Sequence, residues 1–229
     1  MSNRYYRYNS LMKEKSDKLF GISLYQQKTI ELRPEGRRPF DARSLFYSLS
    51  IPPNIPYSSQ IPCSWGALYF PEIWKEFHSY LGLRLSESSI SLSQSIVPDI
   101  RSNRWNRSRK KYFIELVYLR GYTMLYPNFY QWSSLSTNHV EIGVHNKQVS
   151  TQNIQNQFTL PLLDFNRTGI ESILDLPHRR LPIWEKLPIL DLWGNVTTEE
   201  EIVTRGSSAI NALGSCLPSP RISVRATYD

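Results

Sequence analysis

The strongest constraint on the fold is an aromatic run that leads directly into a proline and then an amphipathic pattern. Residues 64–71 read Ser-Trp-Gly-Ala-Leu-Tyr-Phe-Pro. Proline suits the first position of a helix, because its missing N–H would have no partner there. The apolar residues that follow are spaced three and four apart, which buries one helical face: Ile73, Trp74, Phe77, Tyr80, Leu81 and Leu85. The pattern therefore predicts a buried strand over residues 65–70 and a helix from Pro71.

Other segments alternate between strand and helix patterns. β-Prone runs predict strands over residues 20–25, 122–126 and 158–163. Helical patterns cover residues 44–49, 102–119 and 197–205, and Gly121 follows the second as a C-terminal cap. Residues 33–60 otherwise form a long proline-rich loop, of a kind that is often functional. This alternation predicts an α/β fold.

Length and composition predict one domain with flanking segments. The 229 residues are enough to bury a core, and residues 19–195 are expected to form it. Residues 1–18 are a polar lead-in without the pattern of a signal peptide. Residues 196–229 are a tail, with disorder expected beyond Gly206. No apolar run reaches the roughly 20 residues that span a bilayer.

The charge of the chain favours anionic partners. The formal net charge is +7 and the isoelectric point is about 9.4, which suits nucleotide phosphates, nucleic acid or an acidic membrane surface. A mildly basic chain is also common without any such partner. The only two cysteines, Cys63 and Cys216, are too few for a disulfide framework and lack metal-ligand spacing. Cys63 is interpreted as a packing residue.

Several ordered blocks carry a resemblance to one family. The blocks are the strand Phe20-Gly-Ile-Ser-Leu-Tyr25, the Trp-Gly-Ala run with Pro71, Trp74, Glu76 and Phe77, the segment Arg101-Ser-Asn-Arg-Trp105 with Lys110 and Lys111, the segments Tyr118-Leu-Arg-Gly-Tyr122 and Tyr126-Pro-Asn-Phe129, the segment Ser136-Thr-Asn-His139 with Glu141, Gly143 and His145, and Leu187-Pro-Ile-Leu-Asp191. Together they resemble the fungal and plant nucleotide-diphospho-sugar-transferase-like family, related to glycosyltransferase family 2. Ile73 and Arg109 depart from it, standing where the family pattern has His and Trp.

The resemblance implies a partial GT-A-like, Rossmann-like glycosyltransferase domain. Such domains begin with a nucleotide-binding half that ends in an acidic Asp-x-Asp motif, and no Asp-x-Asp occurs in this chain. The sequence is therefore expected to supply only the later, acceptor-side part. The complete form would transfer a sugar from a nucleotide-sugar donor to a glycan or other acceptor. Its expected partners are a separate N-terminal half or a second copy, and its expected location is the Golgi or endoplasmic reticulum membrane.

Two glutamates are candidates for the catalytic base. Inverting sugar transfer needs a carboxylate that takes the proton of the acceptor hydroxyl. Glu72 and Glu76 lie four residues apart on one helical face, just after the Trp-Gly strand, where GT-A enzymes often place their base. The alternative is ordinary complementation of the helix dipole by acidic residues in the first turns.

A polar segment near residue 140 is the candidate metal site. His139, Glu141 and His145 follow one another in an H-x-E-x-x-x-H pattern, and an extended chain would point His139 and Glu141 to the same side. The resemblance implies Mn²⁺ or Mg²⁺ at this site, bound together with the donor diphosphate. The alternative is that these histidines are structural residues of a polar loop.

A basic run and two tryptophans are the candidate ligand contacts. Arg101, Arg104 and Lys111 would contact the diphosphate of the donor, and a solvated helix face or a nucleic-acid surface are the alternatives. Trp65 and Trp132 are the candidate acceptor platforms, although most aromatic residues at strand and helix spacing belong to the core.

Two other functions remain open at this stage. Because the Asp-x-Asp motif is absent, the chain would also suit a non-catalytic remnant that binds a partner. A basic nucleic-acid-binding module built on residues 101–111 is the less favoured alternative, because its basic and aromatic residues follow the transferase blocks.

Overall fold

The computed structural model describes residues 17–86, 95–106, 108–139, 158–163, 178 and 182–215. The strands are β1 (Leu19–Ser23), β2 (Thr29–Ile30), β3 (Arg38–Pro39), β4 (Tyr57–Ser59), β5 (Ala67–Tyr69), β6 (Thr123–Tyr126), β7 (Ile189–Leu190) and β8 (Val196–Thr197). The α-helices are α1 (Ala42–Ser48), α2 (Pro71–Leu85), α3 (Arg109–Arg120) and α4 (Glu199–Ser215). Short 3₁₀ helices cover Arg101–Arg104, Tyr130–Trp132 and Trp184–Lys186. The predicted α/β class is confirmed.

Six strands form one mixed sheet in the order β5-β1-β6-β4-β7-β8, and β2 and β3 form a separate hairpin. In the sheet, β1 and β6 are parallel neighbours, with Ile22 opposite Leu125. Strand β5 pairs antiparallel with β1, and β4 pairs antiparallel with β6. The carboxyl ends of β1 and β6 therefore lie at the same edge of the sheet, and the segments that leave both strands meet there.

Aromatic packing holds the first helices against the sheet. The ring of Phe113 on α3 meets Phe20 of β1 edge-on at 5.4 Å between centroids, and Phe77 of α2 at 4.8 Å. All three residues are at least 95% buried. Edge-to-face contacts of this kind add about 0.5–1.5 kcal/mol each to the stabilisation from burial alone. Helices α2 and α3 are therefore fixed relative to β1, on the side of the sheet from which α3 begins.

Helix α4 is longer than the sequence predicts. Its N-terminus is a capping box, in which Glu201 N donates to Thr198 Oγ1 at 3.2 Å and Thr198 N donates to a Glu201 carboxylate oxygen at 3.4 Å. The helix packs on α3 and extends to Ser215. The disorder expected beyond Gly206 is therefore wrong as far as Ser215, and the boundary predicted at residue 195 falls inside the β7–β8 hairpin.

Two other predicted elements differ from the structure. The helix expected over residues 102–119 is divided, because the chain makes one 3₁₀ turn at Arg101–Arg104 and begins α3 only at Arg109. The strand expected over residues 158–163 is reduced to one isolated bridge between Ser134 and Leu162. In contrast, Pro71 begins α2 and Gly121 caps α3 with a φ of 64°, both as predicted.

Candidate functional site

An open groove of about 350 Å³ lies where the chain leaves β1 and β6. Three segments and two single residues form its walls: the segment after β1, the β4–β5 connection, the first turn of α3 and the end of β6. The lining residues are Tyr25, Gln27, Lys28, Thr29, Glu31, Ile61, Pro62, Cys63, Ser64, Trp65, Lys110 and Tyr126. In open α/β sheets, ligands bind outside the carboxyl ends of the strands. The groove is therefore the candidate site of this fold.

The segment after β1 is fixed by hydrogen bonds to a distant part of the chain. Ser134 Oγ donates to Leu24 O at 2.9 Å and accepts from Gln26 N at 3.0 Å. Gly66, in the β4–β5 connection, has a φ of 122°, and a Cβ at this position would lie 2.4 Å from Ser136 Oγ. The glycine of the Trp-Gly pair is therefore required for this close approach. These contacts position Tyr25 and Trp65 beside each other.

An ion pair crosses the groove. Glu31 follows β2 directly and Lys110 lies in the first turn of α3, and the Lys110 ammonium donates to Glu31 Oε1 in a short contact. The side chains are only 20% and 14% exposed, respectively. Ser64 Oγ lies 3.4 Å from the same ammonium. No donor to the second oxygen of Glu31 is found in the described part of the chain, so this oxygen faces the groove as an acceptor without a protein partner.

One wall of the groove is aromatic. Trp65 meets Tyr25 at 5.2 Å and Phe158 at 5.1 Å, both edge-on. The hydroxyl of Tyr25 donates to Phe158 O at 2.7 Å, and burial raises the pKa of this phenol. The guanidinium of Arg37 lies 4.7 Å above the Phe158 ring. The wall is therefore a packed aromatic surface with a cation at its outer end.

Cys63 lies in the groove as a buried thiol. Burial raises its pKa, and the nearby Lys110 opposes this shift only in part. Its Sγ contacts Trp65 N at 3.5 Å, and its carbonyl accepts a hydrogen bond from the Tyr69 hydroxyl. A thiol that stays protonated is a poor nucleophile, so the packing role expected for Cys63 agrees with its surroundings.

The two predicted acceptor tryptophans lie on the same side of the molecule. Trp65 lines the groove, and Trp132 contacts it through Lys28, whose ammonium lies 5.7 Å from the Trp132 ring. Gln131 and Trp132 both adopt positive φ angles, 52° and 55°. Such a conformation costs about 1 kcal/mol or more for each residue that is not glycine. Trp132 is half-buried and is not an exposed platform.

The structure does not bring Glu72 or Glu76 to the groove. Glu76 accepts a hydrogen bond from Arg120 Nε at 2.7 Å and from the Tyr122 hydroxyl at 2.6 Å. Tyr122 precedes β6, whereas the groove lies at the other end of that strand. Glu72 is exposed in the first turn of α2, where a carboxylate complements the helix dipole. Glu76 therefore joins α2 to the α3–β6 turn.

The basic run does not form a shared helical face. Arg101 and Arg104 lie in the 3₁₀ turn and Lys111 lies in α3, with a loop between them. Arg104 Nη2 donates to Pro34 O at 3.3 Å, and the Lys111 ammonium lies 6.0 Å from the Tyr112 ring. None of the three lines the groove. The lysine of this run that reaches the groove is Lys110.

The predicted metal ligands are only partly within the described residues. His139 is exposed, and Glu141 and His145 lie outside the described residues. The described ranges contain no group of three His, Cys, Asp or Glu residues that would hold a metal ion. In the groove, Glu31 is bonded to an ammonium and its neighbourhood is cationic. The described side chains therefore do not fit a divalent cation.

Sequence reasoning missed the most distinctive pair in the groove. Glu31 lies in a segment predicted to be a loop, 79 residues before Lys110, and neither residue belongs to a short motif with a charged partner. The doubled Lys110-Lys111 at the start of a helix was the available signal. Only the amphipathic pattern of α3, which turns Phe113 and Leu116 inward, indicates which of the two lysines faces the sheet.

Comparison of the chain with protein-family models, with curated proteins and with solved structures found no match. The resemblance to a glycosyltransferase family therefore stays a prediction from the sequence blocks. Among the described helices, none is long and apolar enough to cross a bilayer.

Proposed function

We propose that the groove is the acceptor site of a glycosyltransferase-like protein, which transfers a sugar from a nucleotide-sugar donor to a saccharide. The observation that carries this proposal is the Glu31–Lys110 pair beside Trp65, at the carboxyl ends of two parallel strands. Saccharides are bound by polar groups that act together with aromatic side chains, and this groove offers both. The ordered sequence blocks are the second support.

Glu31 is the proposed general base in place of Glu72 and Glu76. Its second carboxylate oxygen would accept the proton of the acceptor hydroxyl, whose oxygen then attacks the anomeric carbon of the donor. The bond from that carbon to the diphosphate breaks, and the nucleoside diphosphate leaves with the bonding electrons. Lys110 would hold the carboxylate in position, and Trp65 would orient the acceptor.

The donor is the less defined partner. A nucleotide sugar supplies the activated anomeric carbon, and its diphosphate needs positive charge as it departs. Arg101, Arg104 and Lys111 stay predicted contacts for this diphosphate. Because the described residues do not fit a divalent cation, no step is assigned to a metal here.

Two substitutions in the groove test the proposal. Trp65→Ala should weaken the binding of an acceptor saccharide at least tenfold, since stacking on an indole is lost. Glu31→Gln should lower the transfer rate about a hundredfold or more while leaving acceptor binding within a few fold, because the amide cannot take a proton. Binding is measured by NMR titration of the full chain with a saccharide panel, and transfer is measured with a panel of nucleotide sugars.

Matched variants keep the result specific. Trp74→Ala removes a half-exposed tryptophan of α2, and Glu185→Gln removes an exposed carboxylate, both away from the groove. Both should leave binding and transfer unchanged. If saccharides do not bind to the wild-type chain and a single-stranded oligonucleotide binds with steep salt dependence, the proposal is wrong and the nucleic-acid alternative gains support.

A further inference from the structure

The groove carries more positive than negative charge. Of its lining residues, Lys28 and Lys110 are cationic and Glu31 is the one acidic side chain. Arg37 adds a third cation at the outer end of the aromatic wall, over the Phe158 ring. Charges beside partly buried walls interact more strongly than charges in open water. A neutral ligand would leave this excess of positive charge without a counterpart.

Lys110 has bonding capacity left for a ligand. An ammonium has three N–H donors. One reaches Glu31, and a second has Ser64 Oγ at 3.4 Å, beyond the usual length of a strong hydrogen bond. No acceptor for the third is found within the described ranges. An anionic ligand oxygen would make a charge-assisted bond here, which is about twice as strong as a neutral one.

The size and walls of the groove limit what bears the anion. About 350 Å³ is at the lower end of the range for ligand sites, about 300–1,000 Å³. This is room for one ring-sized unit and not for a whole nucleotide sugar. The aromatic faces of Tyr25 and Trp65 suit the apolar face of a ring, and Gln27, Thr29 and Ser64 offer polar groups to hydroxyls.

From these observations we infer that the groove selects an acidic saccharide, a sugar unit that carries a carboxylate or a phosphate ester. Its anionic group would bind at Lys110 and Lys28, while its ring lies against Trp65. The inference rests on the proposed acceptor site and names the class of acceptor. The diphosphate of the donor shares the anionic chemistry, so the test has to separate the two sources.

The test compares ligands that differ only in charge. NMR titrations of the full chain use methyl β-glucuronide against methyl β-glucoside, and glucose 6-phosphate against inorganic phosphate. A nucleoside diphosphate is the competitor. We expect the acidic sugars to bind at least tenfold more tightly than methyl β-glucoside, and we expect this advantage to shrink as salt is raised.

A charge-matched pair of variants locates the effect. Lys28→Gln should reduce the preference for the acidic sugar about tenfold and leave methyl β-glucoside binding unchanged. Lys75→Gln makes the same change of net charge on the exposed surface of α2 and should leave both affinities unchanged. If Lys75→Gln reduces the preference as much as Lys28→Gln, the effect comes from net charge and the inference is wrong.

The other outcomes separate this inference from the proposed function. Equal affinity for methyl β-glucuronide and methyl β-glucoside would overturn the inference but leave the acceptor site standing. Binding of neither sugar would overturn both. Inorganic phosphate that binds as tightly as glucose 6-phosphate would show a simple anion site, and a nucleoside diphosphate that displaces the glucuronide would show a donor site. Either result would contradict the inference.

Discussion

At the scale of single residues, the position of Glu76 makes it a structural carboxylate. It holds the Arg120 guanidinium and the Tyr122 hydroxyl together, and burial together with the Glu76 carboxylate raises the pKa of that phenol. The Arg120 pair is largely exposed and contributes little. We expect Glu76→Gln to lower the free energy of unfolding by about 1 kcal/mol, chiefly through a weaker hydrogen bond from Tyr122. Urea unfolding measures this change.

The same variant separates the two glutamate roles. Glu76→Gln should leave saccharide binding and transfer at the wild-type level, whereas Glu31→Gln should reduce transfer and leave stability nearly unchanged. Tyr122→Phe is the matched control, since it removes the other partner of the same bond. Loss of transfer in Glu76→Gln at unchanged stability would restore Glu76 as a catalytic candidate and contradict the assignment to Glu31.

Local sequence predicted some of these residues and not others. Trp65 was accessible because it belongs to a Trp-Gly turn before a strand, and the positive φ of Gly66 explains why glycine is needed there. Glu31 was not accessible, because its role depends on a lysine that is far away in sequence. Glu72 and Glu76 have a helical spacing that suits catalysis and stability equally, and only their partners distinguish the two.

At the scale of elements, the crossing of α3 and α4 depends on a glycine. A Cβ on Gly206 would lie 2.5 Å from Leu119 O and 2.6 Å from Tyr118 O, both backbone atoms of α3. Alanine is favoured over glycine in a helix by about 1 kcal/mol, but the clash forces the helices apart. We expect Gly206→Ala to lower the free energy of unfolding by about 1–3 kcal/mol, measured by urea unfolding.

Gly82 provides the control on α2. Nothing lies within 4 Å of a Cβ placed there, so Gly82→Ala gains helix propensity without a clash and should stabilise the protein by about 0.5–1 kcal/mol. Opposite signs for the two substitutions are the expected result. A stabilising Gly206→Ala would mean that α4 does not pack closely on α3 in solution.

The elements that sequence predicted are those with a long, consistent period. Helix α2 was found because fifteen residues follow one pattern after Pro71. Strand β4 was missed because its residues are Tyr-Ser-Ser, which are polar in sequence yet completely buried in the sheet. Strands β7 and β8 have two residues each, and their pairing, not their composition, defines them. Gly206 was interpreted as the end of a helix, although its lack of a side chain serves helix packing.

At the scale of the whole molecule, class was predictable and topology was not. Alternating patterns give α/β from local signals alone. The parallel contact of β1 with β6 joins strands about a hundred residues apart, and no local pattern specifies such a pairing. The groove exists only because of that contact, since its walls come from segments that leave both strands. The candidate site is therefore a property of the topology.

Buried phenols make the whole fold sensitive to alkali. Burial raises the pKa of Tyr57 and Tyr126 well above 10, and burial also raises the pKa of Tyr25 and Tyr69. In the unfolded chain these phenols ionise near pH 10. Below that pH both states are protonated and stability is complete. Above it, the unfolded state binds fewer protons than the folded state, so the free energy of unfolding falls as the pH rises.

We therefore expect cooperative unfolding between about pH 10.5 and 12. Each such tyrosine lowers the free energy of unfolding by about 1.4 kcal/mol per pH unit above its unfolded pKa, and domains are stable by only about 5–15 kcal/mol. Circular dichroism and tyrosinate absorbance should change together. Tyr57→Phe removes one titrating group and only a 3.4 Å contact to Gln27, so it should move the midpoint upward. Complete tyrosinate absorbance while the dichroism stays native would show that these phenols are accessible, and would contradict the buried core around β4 and β6.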